Sequence, residues 1–172
     1  MPADRGVATK PQLARQRLAR AFAAGVPAQW VTGASVDGGA RRLRPGLEAQ
    51  PQADGLAVSG PASVWWGGRP RQVKTALAAG PEAGWTRRSA GAGAKGPRWA
   101  GWRWLPLADP VDPTWRRRLL VRRRLGEPAA RRASVVFAPR ATTVAEVVRV
   151  AGARWPLASR VEAATGEVGR DD

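Results

Sequence analysis

Arginine dominates the residues of this chain that can do chemistry. All but three of its 29 basic residues are Arg, set against 13 acidic residues, for a formal net charge of +16 over 172 residues. Guanidinium forks engage phosphate oxygens two at a time, which a lysine point charge cannot do. A polyanionic partner follows from the charge, with nucleic acid first among them. Richness in Ala, Gly, Pro and Arg without any Ile is also what biased coding produces, so composition alone leaves the partner open. The densest basic runs are Arg116-Arg117-Arg118 and Arg122-Arg123-Arg124, on either side of Leu119-Leu120-Val121. On a strand these arginines would face both ways, which is awkward for burial and suited to phosphate contact. A solvated run at a loop edge is the plainer reading and stays open.

The other chemistry is narrowed by what the chain lacks. Without Cys, His or Tyr it has no thiolate nucleophile, no imidazole base or ligand and no phosphotyrosyl intermediate. Phosphodiester chemistry would have to run on carboxylate-held Mg²⁺, or on a serine with no supporting motif. One stretch has the spacing for a catalytic helix. From Arg154 to Gly169, Leu157, Val161, Ala164 and Val168 make an apolar stripe, while Ala158, Glu162 and Thr165 share a neighbouring face. That face carries a single charge.

The elements that would position these residues fall into three parts. Thr9-Lys10-Pro11 opens a helix with Leu13, Ala14, Leu18, Ala21 and Phe22 on one face and Gly25 as its stop. A short strand, Gln29 to Thr32, ends at Gly33. Arg41 to Gln50 is helical in spacing, but Pro45 lies inside it and is expected to break or shorten the helix. Gly55 to Val58 reads as a second buried strand. Arg69-Pro70 starts another helix, with Val73, Ala76 and Leu77 inward and Gly80-Pro81 as its stop. From Trp85 to Ala138 the period changes to two, predicting strands over 85–89, 98–105, 115–121 and 133–138. Trp102 and Trp104 should share one sheet face. The nine Trp stand in for a core in which Leu, Val and Phe make only about 18% of the chain, below the roughly 20% that marks disorder in highly charged chains. An aromatic platform for stacked bases is the alternative use. Thr143 to Glu146 is a capping box, followed by Val144, Val147, Val148 and Ala151 at helical spacing and Gly152 as the expected end. No apolar run approaches roughly 18 residues and Met1 to Arg5 does not resemble a signal peptide. A cytoplasmic protein with no membrane partner is the expectation.

Several stretches resemble one family in consistent order. Trp30-Val31-Thr32-Gly33, then Ser35, Val36 and Gly38, then Arg42-Leu43-Arg44 and Leu47-Glu48, resemble the second-aspartate region of DDE-type insertion-sequence transposases. Val64-Trp65-Trp66-Gly67-Gly68-Arg69-Pro70-Arg71-Gln72-Val73-Lys74 resembles the opening of that family's insertion. Val135 to Pro139, Thr142-Thr143, Glu146-Val147-Val148, Arg154-Trp155, Glu162-Ala163-Ala164 and Gly166 to Gly169 resemble its approach to the catalytic glutamate.

The resemblance implies an α/β fold: a partial ribonuclease H-like core with a β-rich insertion. The core's first α/β part would be 1–82, the Trp/Arg insertion 83–140 and the C-terminal helices 141–172. It also implies three carboxylates holding two Mg²⁺ ions, roughly 3.5–4 Å apart in two-metal sites generally, for cleavage and joining of DNA. Here the family's aspartate aligns with Ala34 and the tyrosine three residues on with Asp37. The glutamate aligns with Ala158, the lysine seven residues later with Thr165, and Arg154 is retained. The first aspartate would lie upstream of Met1. Asp37 and Glu162 are the substitute ligands on offer. Glu162 is one helical turn, about 5.4 Å, from Ala158, further than metal geometry tolerates. The expectation is therefore a transposase-like chain that holds no Mg²⁺ and does not cut. Its partners would be DNA at element ends and an intact transposase homologue. Lys74, Arg116, Arg117, Arg118, Arg122, Arg123, Arg124 and Arg154 would carry the phosphate contacts. A non-catalytic DNA-binding remnant that interferes with an intact transposase, and a basic RNA-associated protein, are the competing readings.

Overall fold

The period-two middle of the chain forms most of one sheet. A computed structural model describes residues 9–34, 39–79, 82–93 and 96–153. Four long antiparallel strands lie side by side: β5 (Thr86–Gly93), β6 (Gly96–Pro106), β7 (Trp115–Arg123) and β8 (Arg131–Pro139). Two earlier strands, β1 (Val31–Gly33) and β2 (Asp54–Val58), complete the sheet in the order β1-β2-β8-β7-β6-β5. β1 and β2 are parallel and joined through helix α2 (Gly39–Glu48), whereas β2 pairs antiparallel with β8. The strands of 83–140 thus continue the sheet begun in 1–82. The fold is mixed α/β.

Both faces of the sheet are covered, which explains the unbroken apolar run Leu119-Leu120-Val121. Leu119 and Val121 join Val135, Leu107, Val64, Val73 and Ala76 on one face. Leu120 joins Trp102, Val136, Ala138, Val147 and Val148 on the other, where Trp104 also packs. Trp102 and Trp104 therefore share a face as their alternation requires. A third cluster, Leu47 and Leu56 with Leu18, Phe22, Val31 and Leu43, seats α2 and helix α1 (Lys10–Ala23) against β1 and β2. Leu13, expected on the inward face of α1, is 39% exposed.

Three local expectations are corrected. α2 runs through Pro45 to Glu48. Pro45 is exposed, so water can serve the carbonyl four residues back that it leaves without a donor. Arg69-Pro70 opens no helix. Arg69–Gln72 is strand β4, paired with β3 (Ser63–Trp66) across a Gly67-Gly68 turn whose residues have φ of +61° and +76°. Two successive left-handed residues are what a tight hairpin turn demands, and helix α3 (Val73–Ala78) begins only after it. Gly152 does not end the last described helix, α4, residues 144–153. It is buried against β5, where an added Cβ would lie 2.8 Å from the carbonyl carbon and Cβ of Ala90. The absent side chain lets the helix touch the strand.

Candidate nucleic-acid interface

Strand alternation divides the two arginine triplets between faces, and internal acceptors engage most of them. Arg117 forms a forked pair with Glu48 of α2, at 2.8 and 2.5 Å, and this hydrogen bonding holds its proton more firmly than usual. Arg118 reaches Asp109 at 3.0 Å. Arg116 donates to the Thr142 carbonyl and lies 5.7 Å from the Trp104 ring. Arg123 contacts both oxygens of Glu82, at 2.8 and 2.7 Å, with its guanidinium 4.4 Å above Trp85. Two more arginines crowd the same ring, Arg103 at 4.8 Å and Arg131 at 5.7 Å. They donate to the carbonyls of Ala79 and Leu77 at the end of α3, filling acceptor positions that a helix terminus leaves open. Much of the basic run is thus structural mortar.

Arg122 has a strongly basic neighbourhood. It lies beside Trp102 on β6 and across from Arg132 on β8. Partial burial pushes its guanidinium down to about 10, and the charges of Arg124, Arg132 and Arg98 push the same way. Arg124 is exposed and has a 3.5 Å contact to Glu127. Cations held together in this way repel one another, and a polyanion laid across them would relieve that repulsion.

This cluster sits on the α4 side of the sheet. Lys74, exposed on α3, and Arg123, over Trp85, belong to the opposite side. The structure therefore does not gather the basic candidates on one surface, and Arg154 lies outside the described residues. It adds others instead. A groove of about 370 Å³ beside edge strand β5 is lined by Arg87, Arg88, Trp99 and, from α4, Arg149. Arg87 stacks 4.8 Å from Trp99, which is 49% exposed. The signal for this groove was present in Arg87-Arg88 and in Trp99 at the start of β6. Nothing local shows that α4 docks beside them.

Of the positions carried over from the transposase comparison, the described residues include Ala34. It is exposed and directly follows β1, at a strand end but with a methyl in place of a carboxylate. Asp37, Ala158, Glu162 and Thr165 lie outside the described residues. A methyl offers a metal no oxygen, so Ala34 cannot supply the ligand that the resemblance asks for at this position.

One carboxylate escaped the sequence reading. Asp54, at the start of β2, is fully buried and neither carboxylate oxygen has a hydrogen-bond partner among the described residues. Burial pushes it up to about 7 against the opposing pull of Arg44. Its apolar neighbours Ala53, Gly55 and Leu56 make a strand legible, but not the depth at which Asp54 sits.

No family model, curated protein or solved structure matches this chain. Among the described residues no helix is long and apolar enough to cross a membrane.

Proposed function

We propose that this chain is a degenerate relative of the DDE-type transposases that binds DNA without cutting it. The observation that carries DNA binding is the like-charge cluster Arg98, Arg122, Arg124 and Arg132 at one end of the sheet. Bringing like charges together raises the folded state's energy, and bound phosphates reverse the sign of that contribution. The net charge of +16 and the family-like sequence stretches that follow one another in the family's order from Trp30 to Gly169 support the same reading. The parallel pair β1–β2 around α2 supports a partial ribonuclease H-like core, with β5–β8 as the inserted strands. Loss of cleavage rests on Ala34 and Ala158 at positions where the resemblance asks for metal-holding carboxylates. DNA at element ends and an intact homologue are the partners, and the cytoplasm is the location, that go with this reading.

The test is duplex binding across a salt series, with terminal-repeat and random DNA compared at ~150 mM salt. Replacing Arg122 and Arg132 together by Gln should lower the log–log salt slope by roughly 1.8, about 0.9 for each phosphate contact removed. An unchanged slope would overturn the assignment of this cluster. Nicking that needs Mg²⁺ or Mn²⁺ and disappears in Glu162→Gln would overturn the inactive reading.

A further inference from the structure

Asp54 is buried and Arg44 half-buried near it, without a bond between them. Both oxygens of Asp54 lack partners, and so do the buried Nε and Nη2 of Arg44 on α2. An unpaired buried carboxylate or guanidinium is among the most unfavourable arrangements in a protein interior. A neutral carboxyl removes the larger part of that penalty, and burial favours it here. The charged groups that reach Asp54 are Arg44 and Glu48 from α2 and Arg117 from β7. β1 and β8 present Val31 and Phe137 in register with it. Arg117 is already committed to Glu48 through its fork, leaving Arg44 as the complementary group with donors to spare. Arg44 is followed at once by Pro45, which deletes a backbone bond from this turn of α2. The turn that carries Arg44 thus holds one backbone bond fewer than an unbroken helical turn.

We propose that Asp54 and Arg44 form a proton-dependent latch beneath α2. With Asp54 protonated, α2 is held to the sheet by the Glu48–Arg117 fork and by Leu43 and Leu47. When the proton leaves, the carboxylate draws in the Arg44 guanidinium, the turn around Pro45 tightens onto β2, and α1, which packs on α2, moves with it. β5–β8 take no part. No bond to a ligand is needed, and the latch does not depend on the DNA-binding proposal.

The experiment is a carboxyl ¹³C titration of Asp54 in the full chain. It is paired with amide exchange at pH 5.5 and 8.5, corrected for the intrinsic pH effect. Asp54 should titrate near neutrality. Protection within 10–23 and 39–48 should change by roughly 30-fold, the factor that about 1.5 pH units of linkage supply, beyond whatever change β5–β8 share with them through global stability. Asp54→Asn should hold α2 in its low-pH protection pattern at both pH values. Arg44→Met should raise the Asp54 midpoint by removing the cation that favours ionisation. A wild-type Asp54 midpoint below pH 5 overturns the latch. So does an α1–α2 response that survives in Asp54→Asn, or an Arg44→Met midpoint that does not move. The wild-type titration decides the matter even where a variant fails to fold.

Discussion

Replacing Gly152 by Ala sets two effects of known size against each other. In an isolated helix the change would stabilise by about 1 kcal/mol, because alanine restricts the unfolded chain and glycine does not. In this fold the new Cβ would lie 2.8 Å from two atoms of Ala90 and closer still to its carbonyl oxygen. Carbon atoms prefer roughly 3.5–4.0 Å, so α4 would have to retreat by roughly 1 Å, a gap that forfeits a quarter to a half of the dispersion energy across the interface. Two of the atoms in the way are backbone of edge strand β5, where its register with β6 shifts between Ser89 and Ala92, and the third is the Ala90 Cβ fixed to that backbone, so clearing them means moving the strand itself. Val147 and Val148 are 2% and 1% exposed and each contributes roughly 1.5–3 kcal/mol by burial. Losing a quarter to a half of that, with overpacking strain of about 1–3 kcal/mol, outweighs the propensity gain. The net expectation is a loss of roughly 2 kcal/mol, or a fall in Tm of about 4–8 °C for a chain of this length. Urea unfolding followed by tryptophan emission measures it, since Trp102 and Trp104 lie under α4. Gly46→Ala on α2, whose added Cβ meets nothing within 4 Å, is the matched control and should be stabilising by up to about 1 kcal/mol. If Gly152→Ala were as stable as the parent, α4 would not be seated on Ala90 and the packing argument would fail.

Two further outcomes follow from the same structure. Asp54 binds its proton more tightly when folded, near 7 against an ordinary 3.8. Its contribution is therefore fully present below about pH 4 and is lost as pH rises to about 7. Between pH 5 and 8 this amounts to roughly 2–3 kcal/mol. Asp54→Asn should remove that slope, and equal slopes for parent and variant in urea titrations would refute the assignment. Trp85→Ala removes the ring that three guanidiniums share and should destabilise by roughly 2–3 kcal/mol, with faster amide exchange in α3, whose end Arg103 and Arg131 hold. A loss under about 0.5 kcal/mol would mean that the arginines hold α3 without the ring.

Local pattern decided a good deal about this protein. The start of α1 is set by Thr9 and Gln12, whose side-chain oxygen takes the Thr9 N–H at 2.7 Å. The alternation from Trp85 to Ala138 decided β5–β8, because a two-residue period has only one way to bury a face. The stripe Val144, Val147, Val148 and Ala151 decided which side of α4 faces the sheet. These signals act over a few residues, and a sequence holds them entire.

Other features depend on partners far along the chain. The Thr143–Glu146 box is half used for capping: Thr143 Oγ1 takes the Glu146 N–H at 3.2 Å, while the Glu146 carboxylate accepts from Trp30 Nε1 at 3.4 Å, 116 residues away. The arginine triplets look alike in sequence. Strand alternation then turns Arg117 and Arg123 to carboxylates on one face and Arg122 to the other face, near Arg98, Arg124 and Arg132. The same long range accounts for Gly152, whose spacing reads as a helix stop and whose place is set by Ala90, and for Asp54, an ordinary polar residue until β1, β8 and α2 close over it. Periodicity tells which way a side chain points. Only assembly of the sheet decides what it meets there, because burial and charge are properties of neighbours rather than of residues.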